Sequence, residues 1–566
     1  MANVDDGTLT KVDVQSRRAV QTIELTSSPI GIAFADGSVW PTAVATPVSH
    51  RGGVLRVALS GLSDCECLDP KVSWDNGAWQ LMANVYDGLV GYKRVAGALG
   101  RSLVPDLART VPTPTDGGKT YSFQLRPGVR FSNGRVVRAS DVLYSFERLY
   151  TAGYRYNQIP YYGGIVGAEA CAGDPSSCDL SGGIEADDTT GTVTIHLTQP
   201  DGDFLYKLAL PFAAIVSAES PPAKDSGLNV AGTGPYKLAQ YDGNGVRLVR
   251  NPHFQPWSLQ AQPAGYPDEI TAILGLSPDE QLSAVMNGKA DYTSELPPER
   301  IADLSTRYPG QFHSDSMTGV YFVSLNSAEA PFDDVRARQA LNYAVDRRRV
   351  VELMGGPAMS QITCQFLPPN FPGYEPHCPY TFDPNPAGTW TAPDIARARR
   401  LVSASGTKGM RVEMFVKQDW AKVGRYLASV LDEIGYDGSL TVFTDDERYF
   451  DAIYAKHRYQ AAMSGWVGDT GPANFLQVNF GCPAAENTSK FCDPRISALI
   501  DRAVDAQSAE NAVSLAPWAE ADRALTTVAP VVPLFNPRRT VLLSTRTGNF
   551  QSHPEYGALL DQLWVR

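Results

Sequence analysis

Between residues 104 and 148 the chain reads Val104-Pro-Asp-Leu-Ala108, Asp116-Gly-Gly-Lys-Thr-Tyr-Ser-Phe-Gln-Leu-Arg-Pro-Gly-Val-Arg-Phe-Ser-Asn-Gly134 and Ala139-Ser-Asp-Val-Leu-Tyr-Ser-Phe-Glu-Arg148. Tyr121, Phe123 and Leu125 alternate with Ser122, Gln124 and Arg126, the period of a strand covered on one face. Pro127-Gly128 turns the chain, and Ser132-Asn133-Gly134 is a second turn signal. Ser140 is then expected to cap a helix with Asp141 in its first turn and Val142, Phe146 and Leu149 as its apolar stripe. Upstream, the alternation of Gly53-Val-Leu-Arg-Val-Ala-Leu59 predicts a strand that opens a domain. Residues 80 to 89 carry helical spacing, with Leu81, Val85 and Leu89 on one face.

At 566 residues the chain is too long for one core, so two to four domains are expected. Hydrophobic residues make up 43% and charged residues 19%, a globular rather than a disordered composition. The net charge is -12, from 49 basic and 61 acidic residues without long runs of either sign, which excludes the basic face that nucleic acid needs. No run of 18 or more apolar residues spans a bilayer. The start, Met1-Ala-Asn-Val-Asp-Asp-Gly7, has no apolar targeting region and no lipid-attachment cysteine.

The eight cysteines bear on the compartment. Cys171 and Cys178, Cys364 and Cys378, and Cys482 and Cys492 flank short polar or Pro-rich loops, the arrangement of disulfide staples formed in an oxidising space. Cys65 and Cys67 are either a strained short-loop disulfide or two free thiols. A zinc site is the rival reading, and it lacks a Cys-x-x-Cys pair or suitably spaced His. No metal or other cofactor is expected. Catalysis is not expected either: there is no Gly-x-Ser-x-Gly elbow, His-Glu-x-x-His, Walker A loop or Gly-x-Gly-x-x-Gly, and the seven His are scattered.

The block from Val104 to Arg148 resembles the signature of family 5 extracellular solute-binding proteins, the oligopeptide and dipeptide binders of ABC importers. Further blocks follow in the family's order: Gly232-Thr-Gly-Pro-Tyr-Lys-Leu238, Asn251-Pro-His-Phe254, Leu325-Asn-Ser-Ala-Glu-Ala-Pro-Phe-Asp-Asp-Val-Arg-Ala-Arg-Gln-Ala-Leu-Asn-Tyr-Ala-Val-Asp-Arg347, Gly465-Trp-Val-Gly-Asp469, Cys492-Asp-Pro-Arg-Ile-Ser-Ala-Leu-Ile-Asp501 and Ala529-Pro-Val-Val-Pro-Leu-Phe535. Asp334 and Asp346 suit the caps of two successive helices that meet at Ala344-Val345. The resemblance implies an α/β fold of two lobes with an extra inserted domain and a hinge between the lobes. Lobe I would take residues 53–92, 222–315 and 530–566, the inserted domain 93–221, and lobe II 316–529. It also implies solute capture by closure of the cleft.

Site residues follow from the same comparison. In Ser464-Gly465-Trp466-Val-Gly-Asp469, glycines flanking an aromatic plate are poor material for a core strand and suit a wall that a ligand approaches closely. An irregular turn with a solvated Asp is the alternative. The resemblance makes Asp469 the carboxylate that holds a ligand ammonium, and places Gly465 and Trp466 at the cleft. Across it lie Val72-Ser73-Trp74-Asp75-Asn76, with Trp74 and Asp75 as contacts, and Tyr156, Tyr161 and Tyr162 from the inserted domain. Met463 stands where oligopeptide binders can carry a basic residue. A long peptide whose carboxylate is held at that position is therefore not expected, and a dipeptide, modified amine or other small solute remains open.

Residues 1 to 40 are distinct. Short alternating runs at Val12/Val14, Ile23/Leu25, Ile32/Phe34 and Val39-Trp40, with turns at Ser28-Pro29 and Asp36-Gly37, are the size of one propeller blade, and the segment resembles the YVTN or NHL type of repeat. An N-terminal β-arm is the other reading. Residues 41–52, rich in Pro, Thr and Ser, read as a linker. One blade cannot close a propeller, so the chain is expected to be a piece of a longer protein that lies outside the cytoplasm, its targeting segment upstream of Met1. The expected partners are a small solute and an ABC permease, with the chain itself a monomer. A sensor whose binding module reports to an attached output domain is the second reading.

Overall fold

A computed structural model of the chain describes residues 50–60, 62, 68–71, 76–150, 159–221, 228–456, 459–468, 471–510 and 515–566, together with the backbone pairing of short strands between residues 2 and 44. The first lobe is built on a five-stranded sheet ordered Tyr236–Tyr241, Gly245–Arg250, Glu269–Ile273, Val54–Ala58 and Tyr292–Thr293. Val54–Ala58 runs parallel to both of its neighbours, and its alternation buries Leu55 and Val57 completely. The second lobe carries a seven-stranded sheet. Its main path runs Phe312–Ser316, Val531–Leu542, Gly319–Leu325, Ala461–Val467, Arg411–Lys417 and Asp437–Phe443, and Ser360–Ile362 pairs beside Val531–Leu542. This is the two-lobed α/β architecture expected.

Val531–Leu542 joins the lobes. It pairs with Gly319–Leu325 at one end and Phe312–Ser316 at the other, and the backbone N–H of Leu542 donates to Thr293 Oγ1 of the first lobe at 2.9 Å. A covalent strand that belongs to both bodies is a natural hinge element.

The opening block forms the predicted strand, Thr120–Gln124, with Tyr121, Phe123 and Leu125 all buried in a three-stranded antiparallel sheet with Thr192–His196 and Ile184–Asp187. The helix runs Ala139–Tyr150 and buries Val142, Phe146 and Leu149 as its stripe predicts. Ser140 lies inside it rather than capping it. Its hydroxyl donates to Asp188 at 2.9 Å, while Asp141 accepts from the Arg138 backbone N–H at 2.8 Å. The helix read over residues 80–89 is shorter and earlier, Asn76–Met82, because the Asn84 side-chain amide donates to the carbonyls of Gln80 and Leu81 at 2.7 and 3.1 Å and closes it. Leu81, Val85 and Leu89 are nonetheless all buried. Arg148 reaches from the long helix to Asp69, with both carboxylate oxygens accepting at 2.7 Å and both residues buried.

Asp334 and Asp346 cap Val335–Ala344 and Arg347–Leu353 as expected, accepting from the N–H groups of Arg336 and of Arg348 and Arg349. In Gly232-Thr-Gly-Pro, a Cβ on either glycine would collide with the backbone of Asn84-Val85, so close packing explains both. Disulfides join Cys171 to Cys178, Cys364 to Cys378 and Cys482 to Cys492, the three pairs read from the loops; Cys65 and Cys67 lie outside the described residues. At the N-terminus, strands occupy Thr8–Asp13, Arg18–Glu24, Ser28–Ala35 and Ser38–Val44, after a two-residue strand at Ala2–Asn3. The last of them takes in Pro41 to Val44, which composition alone assigned to a linker.

Candidate functional site: the interlobe cleft

Ala461–Val467 is a strand in the body of the second-lobe sheet. It is paired along its whole length with Gly319–Leu325 and over Met414 and Phe415 with Arg411–Lys417. This replaces both the turn alternative and the argument that its glycines oppose a strand. A Cβ on Gly465 would stand 2.7 Å from Tyr321 Cε1, and one on Gly468 would overlap the Phe475 ring. The close approach that these glycines permit is to the protein's own aromatic rings. Met463 is fully buried in the second-lobe core, so its departure from a basic residue is taken up as packing.

Trp466 is half-buried on this strand, and its indole N–H donates to Asn474 Oδ1 at 3.1 Å. Asn474 is the third residue of the helix Pro472–Phe480, which Gly471 precedes without any capping side chain of its own. The cap comes from the inserted domain: Asp203 Oδ2 accepts from the Asn474 backbone N–H at 3.0 Å, and Asp203 Oδ1 accepts from Gln507 Nε2 at 3.1 Å. A carboxylate at that end also opposes the positive end of the helix dipole. Gly471 fits because a Cβ there would overlap the Asp203 carboxylate. Burial, with the neighbouring Asp201 charge adding to it, pushes the Asp203 carboxyl up to about 6.

In front of Trp466 lies a cavity of about 300 Å³. Trp466, Gly468 and Asn474 line it from the second lobe, and Trp79, Tyr161 and Glu555 from the opposite side. Glu555 is buried and ion-paired to Arg101, whose guanidinium stacks over the rings of Tyr92 and Phe371. A second cavity of about 520 Å³ shares Met317 and Arg539 with the first and is lined further by Gln80, Tyr292 and Glu295. The two are one cleft, with an aromatic half and a polar half.

Of the residues singled out in the sequence, Trp466 and Tyr161 line this cleft. Ser464 and Gly465 sit behind the wall, and Ser464 is buried. Tyr162 belongs to the core: its hydroxyl donates to the Lys207 carbonyl at 2.8 Å and its ring meets Phe146 edge-on. Asp469, Trp74, Asp75 and Tyr156 lie outside the described residues. Gly468 and Gly471, on either side of Asp469-Thr470, are the cavity wall and the residue packed on Asp203. Trp79, Glu555, Arg539 and the positioning residue Asp203 were not read from the sequence, since no local motif marks them. Among the described residues no group of three His, Cys, Asp or Glu could hold a metal ion, and no helix is long and apolar enough to cross a membrane.

The family model of bacterial extracellular solute-binding proteins, family 5 Middle, matches residues 102–487, well over half of the chain. This chain belongs to that family. As a solute-binding protein it is 29% identical over 451 residues to the dipeptide-binding protein of Escherichia coli (strain K12), covering 74% of this chain and 78% of that one. It is 23% identical over 515 residues to the glutathione-binding protein GsiB of Salmonella typhi, covering 88% and 92%. Among solved structures, the clavulanic acid biosynthesis oligopeptide binding protein 2 superposes with a TM-score of 0.78 at 23% identity, covering 91% of this chain and 96% of that one. The unliganded open form of the MppA periplasmic murein tripeptide binding protein does so with a TM-score of 0.77 at 22% identity, over 95% and 99%. At such identities these two likenesses speak for the fold alone. Family membership places solute capture, in the service of an ABC importer, in the cleft between the lobes.

Proposed function

We propose that the captured solute is a short peptide or another small amine-bearing molecule, enclosed by hinge closure outside the cytoplasm and delivered to an ABC permease by a monomeric protein. The observation that carries this reading is the cavity of about 300 Å³ walled by Trp466 on one lobe and by Trp79 and Tyr161 on the other side, a space for a small solute between flat apolar faces. In this reading Asp469 supplies the carboxylate for the solute's ammonium, and Trp74, Asp75 and Tyr156 complete the rim. The lobe bounds remain those expected, lobe I 53–92, 222–315 and 530–566, the inserted domain 93–221 and lobe II 316–529, except that Phe312–Ser316 and Val531–Leu542 cross from the first lobe into the second-lobe sheet. Transport is supported over sensing by the named relatives, which are binding proteins matched over most of their own length.

A thermal-shift screen of dipeptides, tripeptides and small amines, followed by calorimetry on the best binder, tests the proposal, since a solute that binds only the folded state raises the melting temperature. Asp469→Ala is expected to weaken that binder by about 2–5 kcal/mol, because it strands the ligand charge in a closed cleft. Trp466→Ala is expected to weaken it at least tenfold. Unchanged affinity in both variants refutes the cleft as the site.

A further inference from the structure

The two halves of the cleft meet at Arg539. It lies on the strand that runs from one lobe into the other, and it lines both cavities. Its guanidinium, half-buried, makes no side-chain hydrogen bond and no ion pair with any described residue. The neighbouring arginines are committed: Arg538, which lines the polar half, donates to Ser314 Oγ and to the Ser314 carbonyl at 2.8 and 2.5 Å, and Arg101, behind the wall, is paired with Glu555. Asp315 stands opposite Arg539 in the strand ladder without forming an ion pair.

Two further features converge on the same point. Gly557, at φ +73°, leaves room for the guanidinium, since a Cβ there would stand 2.5 Å from Arg539 Nη1 and 3.0 Å from Gln80 Nε2. Tyr292, 1% exposed and lining the polar cavity, accepts from Gln80 Nε2 at 3.1 Å, and its own hydroxyl proton has no acceptor among the described residues. A half-buried cation and a buried hydroxyl donor, neither with an acceptor among the described residues, are an arrangement that a planar oxyanion satisfies. The guanidinium fork matches a carboxylate in two parallel hydrogen bonds.

We propose that Arg539, with the Tyr292 hydroxyl beside it, is the subsite for a carboxylate of the captured solute, so that the protein selects ligands bearing an anionic group near the middle of the cleft. This rests on the cleft being the binding site and adds the ligand's charge. A ligand without the carboxylate leaves Arg539 unpaired in a partly desolvated site, and that is the source of discrimination.

The test uses the full chain as wild type, Arg539→Gln, Arg539→Lys and Trp466→Ala in thermal-shift and calorimetric titrations. The probes are trialanine, glutathione and glutarate, with carboxyl-amidated trialanine and cadaverine as carboxylate-free counterparts. At least one carboxylate probe is expected to bind wild type tenfold or more tightly than its counterpart. Arg539→Gln is expected to abolish that preference and Arg539→Lys to restore part of it; a response to trialanine or to glutarate tells whether the acid is a peptide's or not. The subsite is overturned if the carboxylate-free probes bind wild type as tightly, if no carboxylate probe binds, or if Arg539→Gln keeps the preference. The comparison of acid with amide on wild type needs no variant to fold. If Trp466→Ala leaves every titration unchanged, the cleft reading itself fails; if it weakens binding while Arg539→Gln does not, the cleft stands and the carboxylate subsite falls.

Discussion

Asp203→Ala removes the carboxylate that the inserted domain lends to the helix behind the cleft wall. The Asn474 N–H is then left without its acceptor in a buried contact, while Gln507 Nε2 keeps the Gly202 carbonyl at 2.6 Å. Loss of a helix cap costs about 1–2 kcal/mol, and a buried donor left unsatisfied about 1–3 kcal/mol; the two overlap here, which puts the variant about 2–4 kcal/mol below wild type at pH 7. Asp203→Asn keeps an acceptor oxygen and discards the charge, and its pH dependence isolates the ionisation. The folded-state carboxyl is pushed up to about 6 by burial, above the value of about 3.9 in the unfolded chain. Between pH 5 and pH 7.5 the folded wild type therefore holds more protons at this site than the unfolded chain does, so its stability falls as pH rises. Relative to Asp203→Asn, wild type is expected to lose about 1.4 kcal/mol across that window, measured as the difference in urea unfolding free energies at each pH. A flat difference across the window, or an Asp203→Ala protein within about 0.5 kcal/mol of wild type, would refute the assignment of a buried, raised carboxyl that caps the helix.

Gly465→Ala is expected to destabilise by about 1–3 kcal/mol through overpacking against Tyr321, read as a lower urea midpoint at an unchanged slope; a neutral result would return the glycine to a ligand-facing role. Asp69→Ala removes the carboxylate that pairs the buried Arg148 guanidinium, whose Nε also donates to the Pro221 carbonyl at 2.7 Å, and is expected to cost about 3–5 kcal/mol of unfolding free energy. A loss under about 1 kcal/mol would mean that solvent reaches the pair.

Much of the fold was legible because its signals are local. The alternation of Tyr121, Phe123 and Leu125 needs only neighbours in sequence, and so do the caps at Asp334 and Asp346. The misreadings came where a distant group intervened. Ser140 had the chemistry of a cap, and Asp188 took its hydroxyl. Residues 80–89 had helical spacing, and the Asn84 amide closed the helix early. Ser464 to Gly468 looked too glycine-rich for a strand, and Tyr321 and Phe475 fill the space that the missing side chains leave.

The ordered blocks from Val104 to Phe535 determined by themselves the family and the two-lobed α/β architecture, the cysteine spacing marked the three stapled loops, and the Gly-Trp block pointed to Trp466, which lines the cleft. Only the tertiary structure decided what surrounds that tryptophan. Trp79, Asp203, Tyr292, Arg539 and Glu555 are scattered over more than four hundred residues, and they meet because one strand passes through both lobes while the inserted domain reaches across to the second. Which cation is paired and which is left with unspent donors depends on those meetings, and composition and spacing carry no record of them.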